Sequence, residues 1–133
     1  MERTFVMLKP ETIRRGLVGE IISRIERKNF KIVDMKMMNL GEEIIREHYK
    51  HIVDKPFFVD TLKSMTSGPV IAMIIEGEDV VKAIRNIMGP TKWLEAPAGT
   101  IRGDYANSTT ENLIHGSDSV ENAEIEIKRF FSI

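Results

Sequence analysis

The stretch "NLIHGSDSVENAEIEIKRFF", Asn112 to Phe131, sets a histidine between a short apolar run and a helix start. His115 admits three readings: a packed side chain, a metal ligand or a nucleophile. A histidine at a strand end is more often a surface or satisfied core residue, so its position alone assigns nothing. As a metal ligand it lacks company, because His48 and His51 fall on a different predicted helix and no HExxH pattern accompanies them. As a nucleophile it fares better. Imidazole is neutral near its unperturbed pKa of about 6.5, so it can attack at physiological pH without an activating base. Gly116 leaves space beside the ring, and the capped helix start after it offers N–H groups that favour an anion. Both features suit a phosphoryl group.

Glu126 falls on the border of the last helix's apolar face, about two turns in, where it can reach back and hold a ring nitrogen. Its plainer reading is a solvated flank residue. Three basic residues are treated the same way: Lys9 ends a buried strand, Arg85 sits near the C-terminal end of a helix, and Arg102 lies in a long loop before "GDY". Each alone is an ordinary surface charge, and only convergence on one anion with His115 would give them a role. Neither G-x-x-x-x-G-K-[ST] nor G-x-G-x-x-G occurs, so any bound phosphate depends largely on cationic side chains.

The elements that must position these residues follow from periodicity. "TFVML" (Thr4 to Leu8) reads as a strand buried on both faces and stopped by Lys9-Pro10. "LVGEIISRIERKN" has the apolar spacing of an amphipathic helix, and "FKIVDMKMMNL" alternates through Phe30, Ile32 and Met35 as a second strand. Two short helices follow, "EEIIREHYKHI" and "FFVDTLKSMTS", with Pro56 at the turn between them. "PVIAMIIEG" is the clearest buried strand, and "EDVVKAIRNIMG" is a helix closed by Gly89. Pro90 to about Glu111 shows little periodicity and reads as a long loop, a kind of segment that is usually functional or disordered. "NLIHGS" is a last short strand, and Asp118 or Ser119 caps a helix with Val120, Ala123, Ile127, Phe130 and Phe131 on one face. Two strand-helix-strand units without a linker imply a single α+β domain over residues 1–133, a ferredoxin-like βαββαβ sandwich with a four-stranded antiparallel sheet.

Composition narrows the function classes. With 19 basic and 20 acidic residues in 133, the net charge of -1 advertises neither nucleic acid nor an anionic membrane. The absence of cysteine removes disulfides, thiolate catalysis and Cys-ligated zinc. The N-terminal apolar run is too short for a signal peptide or a membrane span, so a cytoplasmic protein is expected. Eight methionines, including Met35, Met37, Met38 and Met65, read as core filler.

"RTFVMLKPETIRRGLVGEII", "HY" with "KPFF" after it, "SGPVIAMIIEG", "GTIRGDY" and "NLIHGSDSVENAEIEI" together resemble the nucleoside diphosphate kinases, in order, from about Arg3 to Phe131. The resemblance implies a ping-pong transfer. His115 takes the γ-phosphoryl group of a nucleoside triphosphate, mainly ATP, becomes phosphohistidine, and passes the group to another nucleoside diphosphate, purine or pyrimidine, ribo or deoxy. It further implies that Lys9 binds the sugar hydroxyl and the transferring phosphate, with Asn112 at the ribose. Tyr49 would stand beside His115, Phe57 would stack on the base, and Thr91, Arg85 and Arg102 would hold phosphates. Ser117 and Glu126 would position the histidine, and His48 and Lys55 are further candidates for phosphate contact. Mg2+ would arrive with the nucleotide, with no metal site of the protein's own.

The family pattern is not followed everywhere. Lys92-Trp93 follows Thr91 where Asn-Pro is frequent, Ala98 replaces a proline, and Lys55 puts a point charge where many members have a planar arginine. The sequence ends at Ile133 without the C-terminal extension of many relatives, so hexamer and tetramer, each built from dimers, are both open. Two other classes are weaker fits. A phosphohistidine carrier would leave Phe57, Arg85 and Arg102 idle. A nucleic-acid binder would need exposed sheet aromatics and a basic face, so that activity is at most secondary.

Overall fold

The computed structural model describes residues 1–132; Ile133, the expected end of the domain, lies outside them. The chain runs β1 (Glu2–Leu8), α1 (Pro10–Arg14), α2 (Val18–Arg27), β2 (Lys31–Met38), α3 (Glu42–His48), α4 (Phe58–Met65), β3 (Val70–Gly77), α5 (Val80–Met88), α6 (Ile101–Tyr105), β4 (Ile114–Gly116) and α7 (Val120–Phe131). The four strands form one sheet in the order β2-β3-β1-β4, and every pairing is antiparallel. That is the expected ferredoxin-like arrangement.

Burial on both faces explains the unbroken apolar runs of β1 and β3. Along β1 the side chains alternate between two cores. Val6 and Leu8 join Ile21, Ile25, Ile84 and Met88 beneath α2 and α5. Phe5 and Met7 join Ile45, Phe58, Ile127 and Phe130 beneath α3, α4 and α7. Phe5 stacks on Phe130, with ring centroids 4.6 Å apart and planes 13° from parallel, a pairing worth about 0.5–1.5 kcal/mol beyond its buried area. The contact fixes α7 against β1, the strand beside His115. Ser119 starts α7 by accepting the N–H of Asn122 at 3.0 Å, which stabilises such a helix by about 1 kcal/mol.

One element is absent from the sequence reading and two expectations are corrected. First, α1 escapes the sequence reading because its five residues are too few to show a period. Second, the segment from Pro90 to Glu111 is not plain loop. It holds a 3-10 turn at Trp93–Glu95 and the helix α6, whose first turn is capped by the Thr100 hydroxyl accepting from the Gly103 N–H at 3.0 Å. Third, the methionines are not all core. Met65 is buried, but Met35 and Met37 are 50 % and 61 % exposed on the edge strand β2. Alternation misleads there because the pairing of β2 with β3 shifts between Ile32 and Asp34, and such a bulge reverses which face later residues occupy. Among the described residues no helix is long and apolar enough to cross a membrane.

Candidate active site

β4 is only three residues long, and its central residue is His115, paired with Met7 of β1. Gly116 after it has no room for a side chain, since a Cβ would lie 2.5 Å from Met88 Sδ and 3.3 Å from Ile84 Cγ2. The glycine therefore admits the close approach of α5, a different reason from the space beside the ring that its sequence context suggests. Before β4, Leu113 has φ +80° and Ile114 N–H bonds back to Asn112 C=O at 3.0 Å. This is a γ-turn with a positive central φ, a rare conformation that costs about 1–3 kcal/mol and persists only where its surroundings enforce it.

Glu126 does reach back from α7. Its Oε1 lies 2.9 Å from His115 Nε2 and accepts from the Ser117 hydroxyl at 2.6 Å. Burial works to raise the Glu126 pKa, but the bonds from His115 and Ser117 outweigh it and hold the group below its ordinary value. An ionised carboxylate only accepts, so Nε2 of His115 is the donor to Glu126, and the lone pair of the neutral ring then lies on Nδ1. The solvated-flank reading of Glu126 is thereby replaced: its side chain is 13 % exposed.

His48 packs edge-on against His115, ring centroids 4.6 Å apart. Its Nδ1 lies 2.8 Å from Arg129 Nη1, and since guanidinium only donates, Nδ1 accepts and the proton sits on Nε2. Burial, with the guanidinium of Arg129 beside it, lowers its pKa to about 3, so the ring is neutral. His48, His115 and Glu126 offer ligand atoms within 4.8 Å of one another. Arg129 and Ser117 already engage two of these three groups, so the cluster reads as a hydrogen-bond network and not as a cation cage.

The site opens on a cavity of about 520 Å³. Nine of the expected residues line it: Lys9, His48, Tyr49, Arg85, Thr91, Arg102, Asn112, His115 and Glu126. Lys9 Nζ donates to Asn112 Oδ1 at 2.7 Å. Its pKa falls to about 8, chiefly through burial and also through Arg102, against the opposing charge of Glu11. Burial likewise raises the Tyr49 hydroxyl above its ordinary value and lowers Arg102 to about 10, with Arg85 assisting the latter shift. Arg102 is buried within α6 and donates to the carbonyls of Gly89, Asn112 and Ile114 at 2.9, 3.3 and 2.6 Å. Arg85 donates to the Gly116 carbonyl at 3.2 Å. The loop position expected for Arg102 is corrected accordingly.

Three expected residues stand off the cavity wall. Ser117 acts on it only through Glu126, while Lys55 and Phe57 are exposed on the approach to α4. Sequence reasoning missed Arg129, which lines the cavity and also pairs with Glu47 at 3.3 Å. Its place one helical turn after Glu126 was the available signal. Of the carboxylates on the wall, Glu47, Asp118 and Glu126 bond to Arg129, Asn122 and His115 respectively.

The arrangement thus joins one imidazole with a free lone pair to several cations in a cleft that admits a polyphosphate. The sequence model of the nucleoside diphosphate kinase family matches residues 2–133. The chain is 56 % identical over 131 residues to the nucleoside diphosphate kinase of Acetivibrio thermocellus, covering 98 % of this chain and 96 % of that one. Its identity to the Saccharolobus islandicus enzyme is 52 %, over 98 % and 95 % of the two chains. Among solved structures, the nucleoside diphosphate kinase of Encephalitozoon cuniculi superposes with a TM-score of 0.97 at 45 % identity, covering 100 % of this chain and 90 % of that one. The halophilic enzyme of Halobacterium salinarum, solved with CDP, gives 0.95 at 48 % identity over 99 % and 88 %. The chain belongs to the nucleoside diphosphate kinase family.

Proposed function

We propose that this nucleoside diphosphate kinase works by ping-pong transfer through Nδ1 of His115. The Nδ1 lone pair attacks the γ-phosphorus of a nucleoside triphosphate. A P–N bond forms as the bond to the β,γ-bridging oxygen breaks, and the nucleoside diphosphate leaves with that electron pair. A second nucleoside diphosphate then attacks the phosphohistidine with a terminal β-oxygen and restores the free imidazole. Glu126, oriented by Ser117, holds the Nε2 proton and stabilises the charge that the ring acquires on attack. Lys9, Arg85, Arg102 and Thr91 hold phosphate oxygens, and positioning with charge stabilisation is most of what phosphoryl transfer requires. Lys9 and Asn112, already joined at 2.7 Å, receive the sugar hydroxyl.

The 2.9 Å contact between His115 Nε2 and Glu126, on the wall of a cationic cavity, is the observation that carries this reading. Phe57, 51 % exposed and off that wall, suits a base stacked at the rim without its edge being read, which gives broad specificity. Mg2+ accompanies the nucleotide and neutralises phosphate charge. The wall carboxylates fit that division, since each is engaged within the protein. The chain acts as one domain in the cytoplasm and assembles into dimers, then tetramers or hexamers. Val33, Met35 and Met37, exposed on the unpaired edge β2, support assembly, because such an edge needs a cover.

The test is incubation with γ-labelled ATP and Mg2+, intact mass measurement, and a chase with GDP or dCDP. An acid-labile phosphoryl group, absent in His115→Ala and discharged to either acceptor, is expected. Labelling that no nucleotide discharges would make the chain a carrier instead, and retained exchange in His115→Ala would end the covalent route.

A further inference from the structure

Glu11 is 2 % exposed at the start of α1, and the chemistry above gives it no task. A buried carboxylate is costly unless its bonds are good. Its Oε2 accepts the backbone N–H of Leu113 at 3.0 Å, and its Oε1 is buried with no hydrogen-bond partner among the described residues. Leu113 is the positive-φ centre of the γ-turn. The peptide groups of that residue are clamped entirely from the β1–α1 junction. Its N–H goes to Glu11, and its C=O receives the Lys9 N–H at 2.9 Å and the Thr12 hydroxyl at 2.6 Å.

The two flanks of the turn are the working residues. Asn112 on one side meets Lys9 Nζ, and Ile114 leads into His115 on the other. We infer that Glu11 is a positioning residue for phosphoryl transfer: its carboxylate locks the Leu113 turn, and the turn sets Asn112 on Lys9 and aims His115. The inference rests on the ping-pong reading. Glu11 also acts on Lys9 directly, since its charge favours the ammonium against burial and Arg102. The other groups around Lys9 are Asn112 from the turn, His48 and Tyr49 from the end of α3, and His115 from β4.

Two variants of the full chain separate the parts of this role. Glu11→Gln keeps an oxygen for the Leu113 N–H and removes the charge, whereas Glu11→Ala removes both. Because the proposed reaction takes ribo and deoxy nucleotides alike, the sugar hydroxyl in play is the 3′ one, so GDP and 3′-deoxy-GDP serve as acceptors with ATP as donor. Glu11→Ala is expected to lose roughly tenfold or more of kcat and of the preference for GDP, the scale that misplacement of reacting groups produces. In Glu11→Gln most of the preference should survive while the alkaline limb of kcat/KM moves to lower pH, because Lys9 loses the charge that favours its proton. Wild-type preference and an unmoved limb in both variants would overturn the inference. So would an equal loss on both acceptors in Glu11→Ala with an unmoved limb in Glu11→Gln. If Glu11→Ala does not fold, the limb of Glu11→Gln decides alone. Failure of the wild-type chain to carry phosphate on His115 would instead strike the ping-pong reading, and intact mass shows that separately.

Discussion

The sheet ends in two different ways. At one edge β2 runs eight residues, mostly exposed, with a bulge and with Val33, Met35 and Met37 turned outward. At the other, β4 spans three residues, and the carbonyls of Ile114 and Gly116 are taken by Arg102 and Arg85. An open edge is a template for another chain, and proteins must cover or blunt it. Here one edge is left open, the one proposed to take a second copy, while the other is finished by the cations proposed to hold phosphate. The proposed chemistry thus lies at the edge whose backbone is satisfied by side chains, and the proposed assembly at the edge whose backbone is not.

Substitutions can break this division or sharpen it. After His115→Ala, which removes the nucleophile, Lys9→Ala should have the largest effect, slowing exchange on the order of 10²-fold or more through lost charge stabilisation, read as GDP turnover with ATP. The same residue sets the alkaline limb. Its burial-lowered pKa of about 8 means that in the free chain the cation is present below that pH and lost above it, so kcat/KM should fall there and the variant should lack the limb. Glu126→Ala should cost less, roughly tenfold, because the carboxylate orients the ring and does not react. A loss equal to that of His115→Ala would give Glu126 a larger part. Met37→Lys on β2 should have the smallest catalytic effect, within about twofold per protomer, as a surface change away from the cleft does. Its mark should be a lower mass in solution by light scattering. Abolished turnover at unchanged mass would mean that the two edges do not divide the labour.

What the sequence discloses about these edges depends on whether the signal is local. β1 and β3 are legible because burial on both faces leaves continuous apolar runs, and His115 with Glu126 is legible because helix geometry links an N-cap to a residue two turns on. Lys9 and Arg102 are legible as cations but not as buried ones, since Arg102 sits on α6, a helix of five residues without a period, and Lys9 is met by Asn112 from the far end of the sequence. The approach of His48 to His115 joins the end of α3 to β4, a tertiary contact that no spacing encodes. Met35 and Met37 mislead because an edge strand and a core strand share one alphabet, and the bulge removes the phase that would tell them apart. The turn at Leu113 leaves no mark at all, because leucine is not a residue that advertises a positive φ.

Arg102 carries a consequence for descent. Its guanidinium ties the end of α5, the γ-turn and β4 together through the carbonyls of Gly89, Asn112 and Ile114. An inherited change there is judged twice, once by the ribosome's product as it folds and once by the metabolism that product feeds. Lys55 and Phe57, with exposed side chains off the cavity wall, face only the second judgement. Under the proposed roles, a change at Lys55 or Phe57 reaches the nucleotide alone, while a change at Arg102 reaches the architecture before any nucleotide is bound.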